Sequence, residues 1–199
     1  MTTAFVLGVL AGLSVAMPVG PVGVLLLRTG LVDGARVAVG AACGIATIDL
    51  GYAVLAVALG APVSRVLGQH TDLVRWVSAG VLVVVGVVTA ARASRDPVAA
   101  TVVAPSAPRA YLRFVGLTAV SPLTAVTFTT IAVGLAAQVG GAGPASAFVV
   151  GVGLASLAWQ LVLAMTSGAL GLRVPPQARR WVSMAGAGVV VLAGVALVV

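Results

Sequence analysis

Few side chains in this 199-residue sequence are placed to do chemistry, and Asp49 stands apart as the one formally charged residue deep inside an apolar run. It lies thirteen residues past Arg36; at ~1.5 Å rise per helical residue that is ~20 Å along a helix. In hydrocarbon a central Asp costs ~2.5–3.5 kcal/mol, so it must turn toward protein and meet a partner. Such a carboxyl can hold a proton or receive a cationic group, and one that does both in turn couples the movement of two species. The alternative is a structural Asp, hydrogen-bonded to Thr47, Tyr52 or a backbone carbonyl.

A second concentration of unusual residues is Met17-Pro18-Val19-Gly20-Pro21. Two prolines and a glycine remove two backbone donors and permit dihedrals that a regular helix does not use. Ser121-Pro122 interrupts a later apolar run in a similar place. Carbonyls freed by such breaks must be satisfied by protein or by a water-lined cavity when the chain lies in lipid. Pro18, Gly20, Pro21, Ser121 and Pro122 therefore mark either a pathway or a pair of packing kinks. Gln160, Thr124 and Thr127 offer neutral hydrogen bonds to a solute, or hold neighbouring helices together at ~0.6 kcal/mol each.

The elements that must position these residues follow from composition. Hydrophobic residues make up 61% of the chain and charged residues 8%, against ~25% charged in a typical soluble domain. The eleven Arg stand with four Asp and without Lys or Glu, giving +7. They form no basic stripe interleaved with aromatics, so no nucleic-acid partner is expected. They fall instead in the gaps between runs of the ~20 apolar residues that a membrane span requires. Those runs cover roughly 4–27, 37–60, 73–91, 111–137, 144–170 and 180–199. The breaks at Leu31–Arg36, Gly60–Thr71 and Gly140–Pro144 are short, and residues 93–110 carry Pro97, Pro105 and Pro108. No cleavable leader is expected, since no basic segment precedes the first apolar run.

The expectation is an all-α integral membrane protein, with the lipid bilayer as its surroundings. Six spans put two Arg (65 and 75) on one side and nine on the other. The positive-inside rule assigns the nine to the cytoplasm and both termini to the outside of a bacterial inner membrane.

The halves also resemble each other. Arg75-Trp76-Val77-Ser78 is echoed by Arg180-Trp181-Val182-Ser183, and Gly44-Ile45-Ala46-Thr47 by Gly153-Leu154-Ala155-Ser156, at offsets of 105 and 109 residues. This predicts six transmembrane helices as two inverted three-helix repeats, residues 1–92 and 111–199, joined by a cytoplasmic linker at 93–110. Three spans per half turn the second copy upside down, the plan of many secondary transporters. Trp76 and Trp181 then act as interfacial anchors at opposite faces. Ala158 aligns with Asp49, so only one half carries an acid. Gly40, Gly44, Gly51, Gly151 and Gly153 are expected to permit close helix packing.

Several chemistries are disfavoured. Cys43 is alone, which excludes an intrachain disulfide or a CxxC pair. The sole His70 lies in a loop away from any nucleophile, so no catalytic residue and no enzyme activity are expected. One buried Asp and one Cys make a poor divalent-ion site, so no metal or other cofactor is expected. No phosphate-binding loop is present.

Pro18-Val19-Gly20-Pro21, the Gly-rich second span reaching Asp49, and Ser121-Pro122 opening the fourth resemble the lysine exporter (LysE/RhtB) translocator family over nearly the whole chain. The family pattern is Pro-Gly-Pro, Gly-Asp and Asn-Pro at these places; here Val19 interrupts the first, Ile48 precedes Asp49, and Ser121 stands for Asn. The resemblance implies export of amino acids or related small solutes, driven by a proton or other ion gradient. It places Pro18, Gly20, Pro21, Asp49, Ser121 and Pro122 along the pathway, with Asp49 coupling the ion. A homodimer is implied by the resemblance alone. Divalent-cation efflux and a non-transporting membrane complex subunit are the competing readings.

Overall fold

The computed structural model describes residues 1–17, 20–69, 106–121, 142–173 and 184–189, with single positions among 76–91 and at 124, 175, 181, 191, 192 and 195; over 59–69 it describes the backbone alone. Pro18, Pro122, Thr127, His70 and residues 92–105 lie outside the described residues, as do more than half of the third and fourth expected spans and half of the sixth.

Five helices carry the described architecture: α1 (Thr2–Ala16), α2 (Pro21–Asp33), α3 (Ala35–Gln69), α4 (Ala107–Ala119) and α5 (Ala142–Gly171). In lipid only a helix or a closed barrel satisfies every backbone amide and carbonyl internally, so long Ala/Val/Leu runs adopt helix regardless of modest propensity. α5 and the Ala35–Ala58 part of α3 are each long and apolar enough to cross a membrane, and α1 and α2 reach that length only together, across a bend of 77°. Large apolar side chains such as Leu10, Val54, Leu112, Leu154 and Met165 point outward and are exposed. A soluble monomer does not display so much apolar surface; lipid is the medium that accepts it. Trp76 and Trp181 are exposed as well.

The element boundaries differ from the sequence expectation at three places, each for a local reason. The first expected break, 31–36, contracts to Gly34, whose φ of 91° and ψ of 165° belong to a region that only glycine enters freely. α3 continues through Pro62 to Gln69 instead of ending near residue 60. A proline removes one intrahelical bond, and a helix within a membrane protein can absorb that loss. α4 begins at Ala107, four residues before its expected start, with Pro108 in its first turn. Proline fits there because the first-turn amides have no intrahelical partner. α5 spans 142–171, against an expected 144–170.

Glycine sets how closely the helices approach. On α1, a Cβ at Gly8 or Gly12 would collide with the backbone of Phe148 or Val152 on α5, and a Cβ at Gly151 would lie 2.5 Å from the Phe5 carbonyl. On α3, a Cβ at Gly40 or Gly44 would meet the carbonyls of Ala107 and Tyr111 on α4. Both contacts advance in the same direction along their two helices, so α1 runs parallel to α5 and α4 parallel to α3. The central pair α3 and α5 is antiparallel, because Ala35 meets Gly168 while Leu50 meets Gly153. Gly51 meets nothing among the described residues, so the close packing expected of it is not seen there.

Two apolar clusters fill the interior. Leu25, Leu26, Ala38, Ala41, Ala42, Ile45, Phe114, Leu117 and Ala164 join α2, α3, α4 and α5. Ala4, Ala53, Phe148 and Val152 join α1, α3 and α5. Six of these thirteen side chains are alanines, which is how membrane helices gain van der Waals contact where lipid removes the hydrophobic drive between them.

Candidate functional site

Asp49 sits fourteen residues into α3 and is 2% exposed. Its position follows from the approach of α3 to α5, where Ala35 meets Gly168 and Leu50 meets Gly153. The carboxylate Oδ2 accepts a hydrogen bond of 2.5 Å from the Ser156 hydroxyl of α5, itself fully buried. Ser156 lies fourteen residues into α5, so the contact joins two antiparallel helices ~21 Å from each one's start. The Asp is therefore partnered across the interface by a residue 107 positions away. Thr47 and Tyr52, the local partners considered for it, bond elsewhere. Thr47 donates to the Cys43 carbonyl and accepts from Tyr111 of α4. The Tyr52 hydroxyl donates to the Ala119 carbonyl at 2.8 Å.

That last bond belongs to the break in the fourth span. α4 stops at Ala119, where Val120 leaves helical geometry at φ −97° and ψ 0° and the Ser121 amide turns back to the Thr118 carbonyl. The last carbonyls of a helix have no intrahelical donor. Tyr52, three residues past Asp49 on α3, supplies one of them.

The first span breaks more sharply. α1 ends at Ala16 with the Met17 amide on the Leu13 carbonyl. α2 starts afresh at Pro21, behind Gly20 in an extended conformation with φ −78° and ψ −176°. Two helix ends thus face each other: the carbonyl end of α1, which carries partial negative charge, and the amide end of α2, which carries partial positive charge.

Between these breaks lies a cavity of about 50 Å³, room for about three or four water molecules. Its walls include Ala16 at the end of α1, Gly20, Pro21, Val22 and Gly23 at the start of α2, and Asp49 on α3. Thr118 and Ser121 at the end of α4, Thr124 beyond it, and Gln160 on α5 complete the polar lining. Six residues singled out from the sequence (Gly20, Pro21, Asp49, Ser121, Thr124 and Gln160) therefore surround one space. Pro18 and Pro122 adjoin the two breaks in sequence and lie outside the described residues.

Two wall residues have unmet hydrogen-bonding capacity. Thr118 is 2% and Gln160 5% exposed, and the Thr118 hydroxyl and the Gln160 carbonyl oxygen have no partner among the described residues. A buried polar atom left unpaired costs ~1–3 kcal/mol, so a space lined by two of them is built for something polar. Gln160 lies one helical turn past Ser156 and shares its face. Thr118 escaped the sequence reading. Its signal was weak, a threonine three residues before a Ser-Pro break in a chain with several other threonines.

At the far end of α2, Arg28 and Asp33 approach to 3.8 Å. Among the described residues no group of three His, Cys, Asp or Glu could hold a metal ion.

The chain was compared with known proteins. No curated protein sequence and no solved structure matches it at a significant level. A family model described as LysE type translocator matches residues 13–199, a stretch that contains α2 to α5, both breaks and every wall of the cavity. With all but the first twelve residues accounted for, this helical membrane chain belongs to the LysE type translocator family.

Proposed function

We propose that the chain is a secondary active exporter of amino acids or related small solutes, coupled to an ion gradient, most simply by proton antiport. The observation that carries this reading is Asp49, a buried carboxyl at mid-helix, facing a cavity that lies where two membrane spans are broken. Broken spans place backbone polar groups at membrane depth beside a substrate, the recurring architecture of secondary transport sites. In this reading Asp49 exchanges a proton for the solute, and Ser156 holds the carboxyl in place while the exchange occurs.

The packing supports the inverted-repeat arrangement. α1 lies on α5 through Gly8, Gly12 and Gly151, and α4 lies on α3 through Gly40 and Gly44. Exchanging the halves exchanges these contacts. The second helix of each half then crosses its counterpart at the Asp49–Ser156 contact, and the solute site lies on the pseudo-twofold axis. The Arg distribution supports an inner-membrane location with both termini outside, and assembly as a homodimer remains part of the same proposal.

The test is efflux of a preloaded amino-acid panel from cells carrying the parent or Asp49→Asn at equal membrane abundance. The expected result is faster loss of at least one solute with the parent and no gain with the variant. A variant that exports as fast as the parent would remove Asp49 from the transport chemistry.

A further inference from the structure

The cavity walls are chemically divided. On one side stand oxygen acceptors, namely the Asp49 carboxylate, the Gln160 carbonyl oxygen and the Thr118 hydroxyl. On the other stands the start of α2, where Val22 and Gly23 line the same space. The amides of a first helical turn have no carbonyl within the helix to bind, and the helix dipole adds partial positive charge there. No Arg, Lys or His is among the described lining residues, so among these an anionic group entering the cavity meets positive potential at α2. A helix start alone would not define a ligand. The two unpartnered acceptors, on side chains that are both more than nine-tenths buried and line the same cavity, are a separate observation that calls for a donor.

We propose that Thr118 and Gln160 receive the ammonium end of the transported solute beside Asp49, while the Val22 and Gly23 amides at the start of α2 receive its carboxylate. This assignment rests on the export reading and sharpens it: the site selects for both charges on one small molecule. Each orphan acceptor gains a donor when the solute binds, and the carboxylate replaces its lost hydration with fixed backbone dipoles. An amine lacking the carboxylate leaves the α2 amides unmet. An acid lacking the ammonium leaves Thr118 and Gln160 unmet and sets its charge against Asp49. Because the Asp49 Oδ2 is already held by Ser156, the two neutral acceptors carry much of the geometric selection, and Asp49 supplies charge. Thr118 belongs to α4, just before the break in the fourth span, and Val22 belongs to α2, just after the break in the first. A zwitterion therefore bridges the two breaks.

The experiment uses the full chain reconstituted in proteoliposomes and the amino acid that it moves fastest. Competitors are the amine left when that amino acid loses its carboxyl group and the acid left when it loses its amino group. Both should compete at least about thirtyfold more weakly than the parent amino acid. Thr118→Val and Gln160→Leu should each raise KM by about tenfold with little change in maximal rate, as expected for a lost hydrogen bond to a charged group. Thr118→Ser, which keeps the hydroxyl, should restore the parent KM and so separates this role from packing. An amine that competes as well as the amino acid overturns the role of α2, and an unchanged KM in both Val and Leu variants overturns the acceptor pair. If the parent moves none of the twenty standard amino acids, the export reading itself falls and this assignment falls with it.

Discussion

Ser156→Ala isolates the bond that joins the two central helices at their polar midpoint. The substitution removes one hydroxyl and little volume, so the cavity term is small and the lost hydrogen bond dominates. In water a bond to a charged acceptor contributes ~1.5–3 kcal/mol. Interhelical hydrogen bonds in membrane proteins average ~0.6 and reach ~1.7 kcal/mol, because the unfolded chain in the membrane finds other partners. The separation of 2.5 Å and the burial of both residues argue for the upper part of the membrane range, ~1–1.7 kcal/mol. The assay is a double-mutant cycle of Ser156→Ala, Asp49→Asn and the pair, read by unfolding in detergent micelles titrated with a denaturing detergent. Coupling of ~1 kcal/mol or more is expected between the two sites. Coupling indistinguishable from zero, with both single variants folded, would mean that Ser156 and Asp49 do not interact in the folded protein, and the account of how the acid is held would be wrong.

Three further outcomes follow from the packing and the breaks. Tyr52→Phe removes the donor to the Ala119 carbonyl and should lower stability by ~1 kcal/mol, measured by the same detergent titration; no change would show that this carbonyl is satisfied otherwise. Gly12→Leu places a side chain against the Val152 backbone and should cost more than ~2 kcal/mol or abolish folded protein, whereas Gly51→Ala, with open space around it, should leave the yield of monodisperse protein unchanged. Gly34→Ala forces a Cβ into a backbone region reserved for glycine and should lower stability by ~1–3 kcal/mol, visible as a lower thermal midpoint in detergent.

The parts of the fold written in local chemistry were legible in the sequence. Pro21 and Ser121 announced the breaks because proline and its neighbours act on the backbone within a turn of themselves. The apolar run expected at 144–170, after the Gly140–Pro144 turn, fell within two residues of the ends of α5. Asp49 was legible as a residue that needs a partner, because the cost of an acid in hydrocarbon depends on depth alone. Its partner was not. The register that brings Ser156 to Asp49 is set by where Gly153, Gly168 and Ala35 let α3 and α5 touch, and no local signal fixes the sliding of one helix along another. Thr118 was hidden for a related reason: its hydroxyl matters only because the space that it faces is assembled from four other helices. The continuation of α3 past Pro62 was misjudged by rules learned in water, where a proline two residues after a glycine ends a helix more readily than it does in a membrane protein.

The single-residue link at Gly34 has a mechanical consequence. α2 is a stiff rod of thirteen residues, ~20 Å long, joined to α3 by one residue and to α1 across residues 17–20. A rotation of ~10° about the Gly34 end carries the other end through ~3.5 Å, from the length just given. That is more than the width of a water molecule, delivered at the cavity wall formed by Gly20 to Gly23. A short lever pinned close to one end would convert small angular changes near Arg28 and Asp33 into opening or closing of the space beside Asp49, provided that Leu25 and Leu26 repack in the cluster they share with α3, α4 and α5.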